Sequence, residues 1–264
     1  ILGGIMNNKS LLQKIENLPV PILPTMVGAF TLSNVYLNMG YTWIRHITAW
    51  AAIAVILSYI LKICFHFDTV KKEYSNTVPA SLYAGFTMLT MILGSYFYNA
   101  SPVFGKTLWF VGLILHAIQI LVFTYNNVIK NFNMQTFVPS WFVTYNGIMV
   151  STVVGGVMNE PLIGKIVVYY GIAVFTVIIP FMIYRLAKHE IKDPVYHTQA
   201  ILLAPSSLCL VSYLNFISTP NKFIIYYLYC AVICALIFIL IKLPKFFSYA
   251  FHPGFAGLTF PMAI

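Results

Sequence analysis

The chain has 264 residues, of which 60% are hydrophobic, 16% aromatic and only 8% charged, with a formal net charge of +9. An ordinary soluble domain carries roughly 25% charged residues, so this composition excludes a water-solvated globule and points to a single membrane domain over 1–264. The fifteen Lys and Arg residues are scattered instead of clustered with aromatics on one stretch, which excludes nucleic acid as a partner.

The segment 1–19 precedes the first apolar run and reads as a cytoplasmic N-terminal segment. From Ile1 to Lys14 there is no apolar run followed by a small-residue cleavage site, so no cleavable signal peptide is expected. The chain lacks an initiator Met and stops inside an apolar run, so both ends are expected to be trimmed. Apolar runs long enough to cross a bilayer lie near 20–37, 43–63, 79–98, 104–125, 139–158, 163–184, 199–217 and 223–242, with a ninth opening at 253.

A proline opens every second run. The copies are Val20-Pro21-Ile22, Val78-Pro79-Ala80, Val138-Pro139-Ser140, Ala204-Pro205-Ser206 and His252-Pro253-Gly254, at spacings of 58, 60, 66 and 48 residues. Each interval holds one span out and one span back, and a period of this size marks an array of similar units. The predicted fold is an all-α integral membrane protein of tandem transmembrane helical hairpins in a pseudo-five-fold arrangement. Proline in a first helical turn loses no hydrogen bond, because that N–H has no partner in the helix. The repeated prolines therefore read as helix starts, whereas Pro24, Pro180 and Pro261 lie deeper and are kink candidates.

With a cytoplasmic N-terminus, the inner segments hold Lys9, Lys14, Lys62, Lys71, Lys72, Lys130, Arg185, Lys188, Lys192, Lys242 and Lys245. The outer segments hold Arg45, Lys106, Lys165 and Lys222. That asymmetry predicts a multi-pass protein of the cell membrane with its N-terminus inside. The odd-numbered helices then all start at the cytoplasmic mouth, where helix N-termini favour anions. Lys72, Lys130 and His252 are expected beside that mouth.

The odd helices carry small hydroxyl and amide side chains, whereas the even helices are uniformly greasy. That contrast predicts odd helices inside and even helices against lipid. Candidate lining residues are Gly28, Ser81, Thr87, Thr144, Tyr145, Asn146, Ser207, Ser212 and Tyr213. Seven residues beyond each opening proline stand Gly28, Phe86, Asn146, Ser212 and Phe260, a possible layer across the path with Tyr145 and Tyr213 one residue out of register. No Asp, Glu, Lys or Arg sits in the central part of an odd helix. Tightly coupled carriers keep an ionisable group at that depth, so passive permeation is the stronger expectation.

Pro139-Ser140-Trp141-Phe142-Val143, Ala204-Pro205-Ser206-Ser207-Leu208-Cys209 and the stretch from Pro253 through Thr259-Phe260-Pro261 resemble the tellurite-resistance/dicarboxylate transporter family. That family includes bacterial proteins of the TehA type, fungal malate transporters and plant slow anion channels. The resemblance runs over nearly the whole chain, and Thr259-Phe260-Pro261 is its most specific stretch. It implies ten helices in five hairpins, odd helices around a central pore, an occluding aromatic from the ninth helix, and a homotrimer in a bacterial relative. Phe260 falls at the occluding position, with Thr259 and Pro261 supporting it and Phe86 as a possible second plug. The chain ends four residues past Phe260, so the rest of the ninth helix and the tenth are expected to be absent. Mid-span prolines, frequent in channel-type relatives, are few here.

His116 and Gln119 share one face of the fourth helix, where the histidine reads as a packing residue. Cys64, Cys209, Cys230 and Cys234 show no metal-ligand spacing and read as small apolar residues. No nucleotide-binding, zinc-protease or nucleophile-elbow motif occurs, so neither catalytic residue, metal nor cofactor is expected. The predicted function is a channel or facilitator for anions or small organic acids, through an uncharged pore gated by an aromatic plug. The alternatives are an intramembrane lipid-modifying enzyme and a proton-coupled dicarboxylate carrier.

Overall fold

The computed structural model describes residues 11–264, so Lys9 of the predicted inner set lies outside the described residues. Among the described residues the regular structure is all helical. Three short helices, α1 (Leu11–Glu16), α4 (Phe67–Tyr74) and α5 (Thr77–Leu82), accompany the long α2 (Ile22–Asn38) and α3 (Thr42–Phe65). Next come α6 (Ala84–Tyr98) and α7 (Pro102–Thr124), which runs into a wide π turn at Tyr125–Lys130. The fifth span is broken: α8 (Trp141–Tyr145), a 3₁₀ turn Gly147–Met149, α9 (Val150–Val154) and a second 3₁₀ turn Gly155–Met158. There follow α10 (Pro161–Lys188), a 3₁₀ run Asp193–Leu202, α11 (Leu203–Phe216), α12 (Lys222–Phe246), a 3₁₀ run Pro253–Leu258 and α13 (Phe260–Ala263).

The crossing helices fall into two classes. In Thr77–Tyr98 and Asp193–Phe216, 78% of the apolar stretch is buried within the protein. In α3 the share is 22%, in Pro102–Lys130 and α10 28%, and in α12 11%. Every residue from 137 to 152 is buried, which places the broken fifth span deepest of all. The outer helices turn Trp50, Leu121, Ile166 and Ile241 outward, a surface suited to lipid. Burial thus alternates with span number from the second span to the eighth.

Since lipid is as apolar as leucine, helices in a membrane associate through close packing and side-chain hydrogen bonds. Those bonds join inner to outer helices here. His116 on α7 is fully buried, with Nε2 2.8 Å from the carbonyl of Thr144 and Nδ1 2.6 Å from Thr87 Oγ1. A carbonyl only accepts, so Nε2 carries the proton and Nδ1 receives the Thr87 hydroxyl. Gln119 Nε2 donates to the carbonyl of Ala80 at 3.2 Å, and the hydroxyls of Tyr145 and Thr124 meet at 2.9 Å. Asn146 Nδ2 donates to the carbonyl of Gly171 on α10 at 3.0 Å.

Two basic residues counted among the inner loop charges are in fact buried. Lys62 is 0% exposed and donates to Glu73 Oε1 at 2.7 Å and to the carbonyl of Leu18 at 2.8 Å. The other oxygen of Glu73 accepts from the hydroxyl of Tyr83 at 2.5 Å. Arg185 is 3% exposed and clasps the carbonyls of Met134 and His189, both at 2.7 Å. Both cations sit at helix ends, where neighbouring loops and, for Lys62, Glu73 of α4 supply the acceptors that water would otherwise provide.

The repeated prolines depart from a uniform set of helix starts. Pro21 caps α2, Pro139 lies in the turn before α8, Pro253 opens its 3₁₀ run, and Pro79 is in the first turn of α5. Pro205 instead lies inside the continuous run Asp193–Phe216, which Pro194 opens. The missing N–H of Pro205 coincides with the switch from 3₁₀ to α bonding, where the ladder is already interrupted. Pro180 lies within α10 as anticipated, and Pro244 lies within α12, which was not.

Candidate functional site

A cavity of about 310 Å³ lies where the five proline-opened segments converge. Each contributes to its wall: Pro21 and Pro24 from the first, Val78 and Leu82 from the second, Phe142 and Val143 from the third, Ala204 and Leu208 from the fourth, Pro253 and Phe260 from the fifth. The segments meet at their N-terminal ends, so the partial positive charges of those ends gather on one side of the cavity. No Asp, Glu, Lys or Arg is among the lining residues. The wall offers neither a compensating cation nor a repelling carboxylate.

Phe260 is 4% exposed and lines this cavity together with Pro261 and Met88. Its position is set by backbone contact. A Cβ built on Gly28 would stand 2.7 Å from the nitrogen of Phe260 and 2.8 Å from the carbonyl carbon of Thr259. Only a residue without a side chain lets α2 lie this close to α13. Gly257 does the same on the other flank, where a Cβ would meet the carbonyl oxygen of His197 at 2.6 Å. Thr259 Oγ1 donates to the carbonyl of Ala256 at 2.7 Å, closing the 3₁₀ run before Phe260. Pro261 follows as the second residue of α13, where its missing N–H leaves no helical bond unmade.

His252 stands in the cavity lining at the start of the 3₁₀ run, its Nδ1 accepting from the N–H of Gly254 at 3.1 Å. Its ring lies 4.8 Å from that of His197, which is buried and stacked on Phe255 at 4.3 Å. Outside the crossing helices, the half-buried Tyr249 donates to Asp193 Oδ1 at 2.7 Å, and that hydrogen bond pushes its hydroxyl pKa up to about 12.

Eight of the residues expected on the path lie off this cavity, most of them in hydrogen bonds. Ser81, Thr87, Thr144, Tyr145, Asn146, Ser207, Ser212 and Tyr213 are not among the cavity's lining residues. Ser81 bonds the carbonyl of Val78 at 2.7 Å, and Thr144 Oγ1 donates to the carbonyl of Ser81 at 3.3 Å. Thr152 donates to Ser212 at 2.6 Å, and Tyr213 accepts from the N–H of Asn221 at 2.9 Å. Ser207 is half-buried on α11. Phe86 lies off the cavity, yet it alone keeps some exposure among residues 80–94, so it borders open space beside its buried neighbours. Lys72 and Lys130 are exposed and set apart from the cavity.

The apolar wall residues Leu82, Met88, Val143, Ile201 and Leu208 were missing from the expected set. In a helix apolar on most of its circumference, periodicity singles out no face, and a hydroxyl fits a helix–helix contact as well as a wet wall. Among the described residues no group of three or more His, Cys, Asp or Glu is placed to hold a metal ion.

The family model described as SLAC1, voltage-dependent anion channel, matches residues 18–264. The tellurite resistance protein TehA homolog of Haemophilus influenzae is 23% identical over 170 residues, covering 62% of this chain and 50% of that protein. The match thus spans about half the length of that curated relative. Taken with the five segments that share one cavity, the match over 18–264 makes this chain a member of the voltage-dependent anion channel family.

Proposed function

We propose that the chain passes small anions through the central cavity and that the ring of Phe260 closes the path at rest. The observation that carries this reading is the convergence of all five proline-opened segments on one uncharged cavity lined by Phe260. A narrow apolar neck stops an ion by stripping its water without offering ligands in return. The helix N-termini draw anions to the entrance, and the apolar wall holds them back until the ring moves. Small organic acids suit the same path, and the tellurite-resistance relative adds tellurite-type oxyanions to the permeants worth testing. The bias of Lys and Arg supports a cytoplasmic N-terminus, which sets the cavity on the cytoplasmic side. A homotrimer is proposed from the family resemblance.

The test is Phe260→Ala in proteoliposomes, with anion flux followed under an imposed voltage. Resting conductance is expected to rise at least tenfold while the helical signal and melting temperature stay close to those of the parent. An unchanged resting conductance in folded protein would overturn the gate assignment and turn attention to Phe86.

A further inference from the structure

Apart from the central cavity, a groove of about 780 Å³ lies between α4 and the chain that follows α7. It sits beside the openings of α5 and α8, where Thr77 and Thr136 form part of its wall. The wall carries Lys71, Lys130, Asn126, Asn131 and Asn133, and it contains no carboxylate. Its donors and acceptors are unevenly committed. Asn127 Oδ1 already accepts from Thr77 at 2.8 Å, and Asn133 Oδ1 accepts from the N–H of Gln135 at 2.8 Å. Glu73 on α4 is held by Lys62 and Tyr83, away from the groove. Among the described residues neither Lys71 nor Lys130 takes part in an ion pair, and both are exposed. Free ammonium and amide donors without a free acid suit a ligand that only accepts, and several oxygens sharing a negative charge suit it best.

The surroundings indicate how such a ligand is presented. Phe67 and Phe132 are 60% and 54% exposed. Both rings suit contact with lipid, Tyr74 in the groove wall adds a ring of the kind enriched at headgroup level, and basic pockets between the ends of membrane helices hold phosphorylated lipid headgroups. The π turn that carries Asn126, Asn127 and Lys130 replaces the last turn of a regular helix, a distortion frequent at functional sites. We infer that this groove is a phosphate-group site separate from the anion path, filled by an anionic phospholipid headgroup or by free phosphate. Its occupant ties α4 to the end of α7 and so bears on the two inner segments that open beside it.

The test uses the full chain in phosphatidylcholine vesicles, with phosphatidylglycerol as the lipid arm and inorganic phosphate in neutral vesicles as the soluble arm. Melting temperature is followed against ligand for the parent, K71Q/K130Q, the charge-matched control K188Q/K192Q, and K71R/K130R. The parent and the control should be stabilised by one of the two ligands, with the apparent affinity of K71Q/K130Q lower by about 30-fold. The arginine pair should recover most of that loss even if the glutamine pair proves less stable. Stabilisation in the lipid arm identifies the headgroup as occupant, and stabilisation in the soluble arm identifies free phosphate. No stabilisation of the parent by either ligand, or an equal loss in K188Q/K192Q, would overturn the proposal.

Discussion

At the scale of single residues, Phe260 and Gly28 form one unit. The ring lines the cavity, and the glycine lets α2 lie against the peptide that carries it. Gly28→Ala would bring a methyl group to 2.7 Å from the nitrogen of Phe260, closer than side-chain carbons approach backbone. The peptide must shift, and overpacking of this kind costs about 1–3 kcal/mol. We expect Gly28→Ala to lower the melting temperature and also to raise resting anion flux, because the displaced backbone takes the ring with it. A loss of stability with no change in flux would show that the ring keeps its place by its own packing. Phe86→Ala should raise flux less than Phe260→Ala, since Phe86 borders open space off the cavity.

At the scale of elements, the fasteners between helices matter more than the propensities within them. Lys62 joins α3 to α4 through Glu73 and to the chain before α2 through the carbonyl of Leu18. Lys62→Met is expected to cost about 2 kcal/mol, less than the loss of a partner from a fully buried pair, because Glu73 keeps 25% of its side chain exposed. Lys62→Met with Glu73→Gln should recover part of that loss, and equal melting temperatures for the single and double variants would exclude the charge as its cause. The helices themselves were readable in the chain, because an apolar run of about 20 residues admits few other structures in a bilayer. The buried ends of Lys62 and Arg185 were not, since a cation at the end of a span ordinarily reaches for water. Nor were the roles of Thr87, Tyr145 and Asn146. Hydroxyl and amide groups on an inner helix serve a wet wall or a partner helix equally well, and the choice turns on which face meets which neighbour.

Across the whole molecule, inner segments of which all but α2 are interrupted are flanked by long, more exposed outer helices. The native cysteines offer a direct test of that arrangement. Cys230 and Cys234 lie exposed on α12, the least buried of the crossing helices, where lipid would surround them. A charged, water-soluble thiol reagent should leave them unlabelled until the protein is unfolded, because a thiol surrounded by lipid stays protonated and meets no water. A cysteine placed at Val143, in the cavity wall, should be labelled by the same charged reagent in vesicles open to the mouth. Rapid labelling of Cys230 by the charged reagent would put α12 in contact with water and remove the basis for the two rings.

The fasteners and the cavity wall occupy different faces of the inner segments, and this has a consequence for how such proteins diverge. His116, Gln119, Thr124 and Gly171 hold the inner ring from behind, while Leu82, Val143, Ile201 and Leu208 line the cavity. None of those four wall side chains carries a hydrogen bond on which the fold depends. Exchanging a wall residue therefore breaks none of these bonds, and its cost is confined to packing, since all four also belong to the buried core. One scaffold can in this way be reshaped around its cavity by a few substitutions that keep the packed volume and leave the interhelical bonds in place.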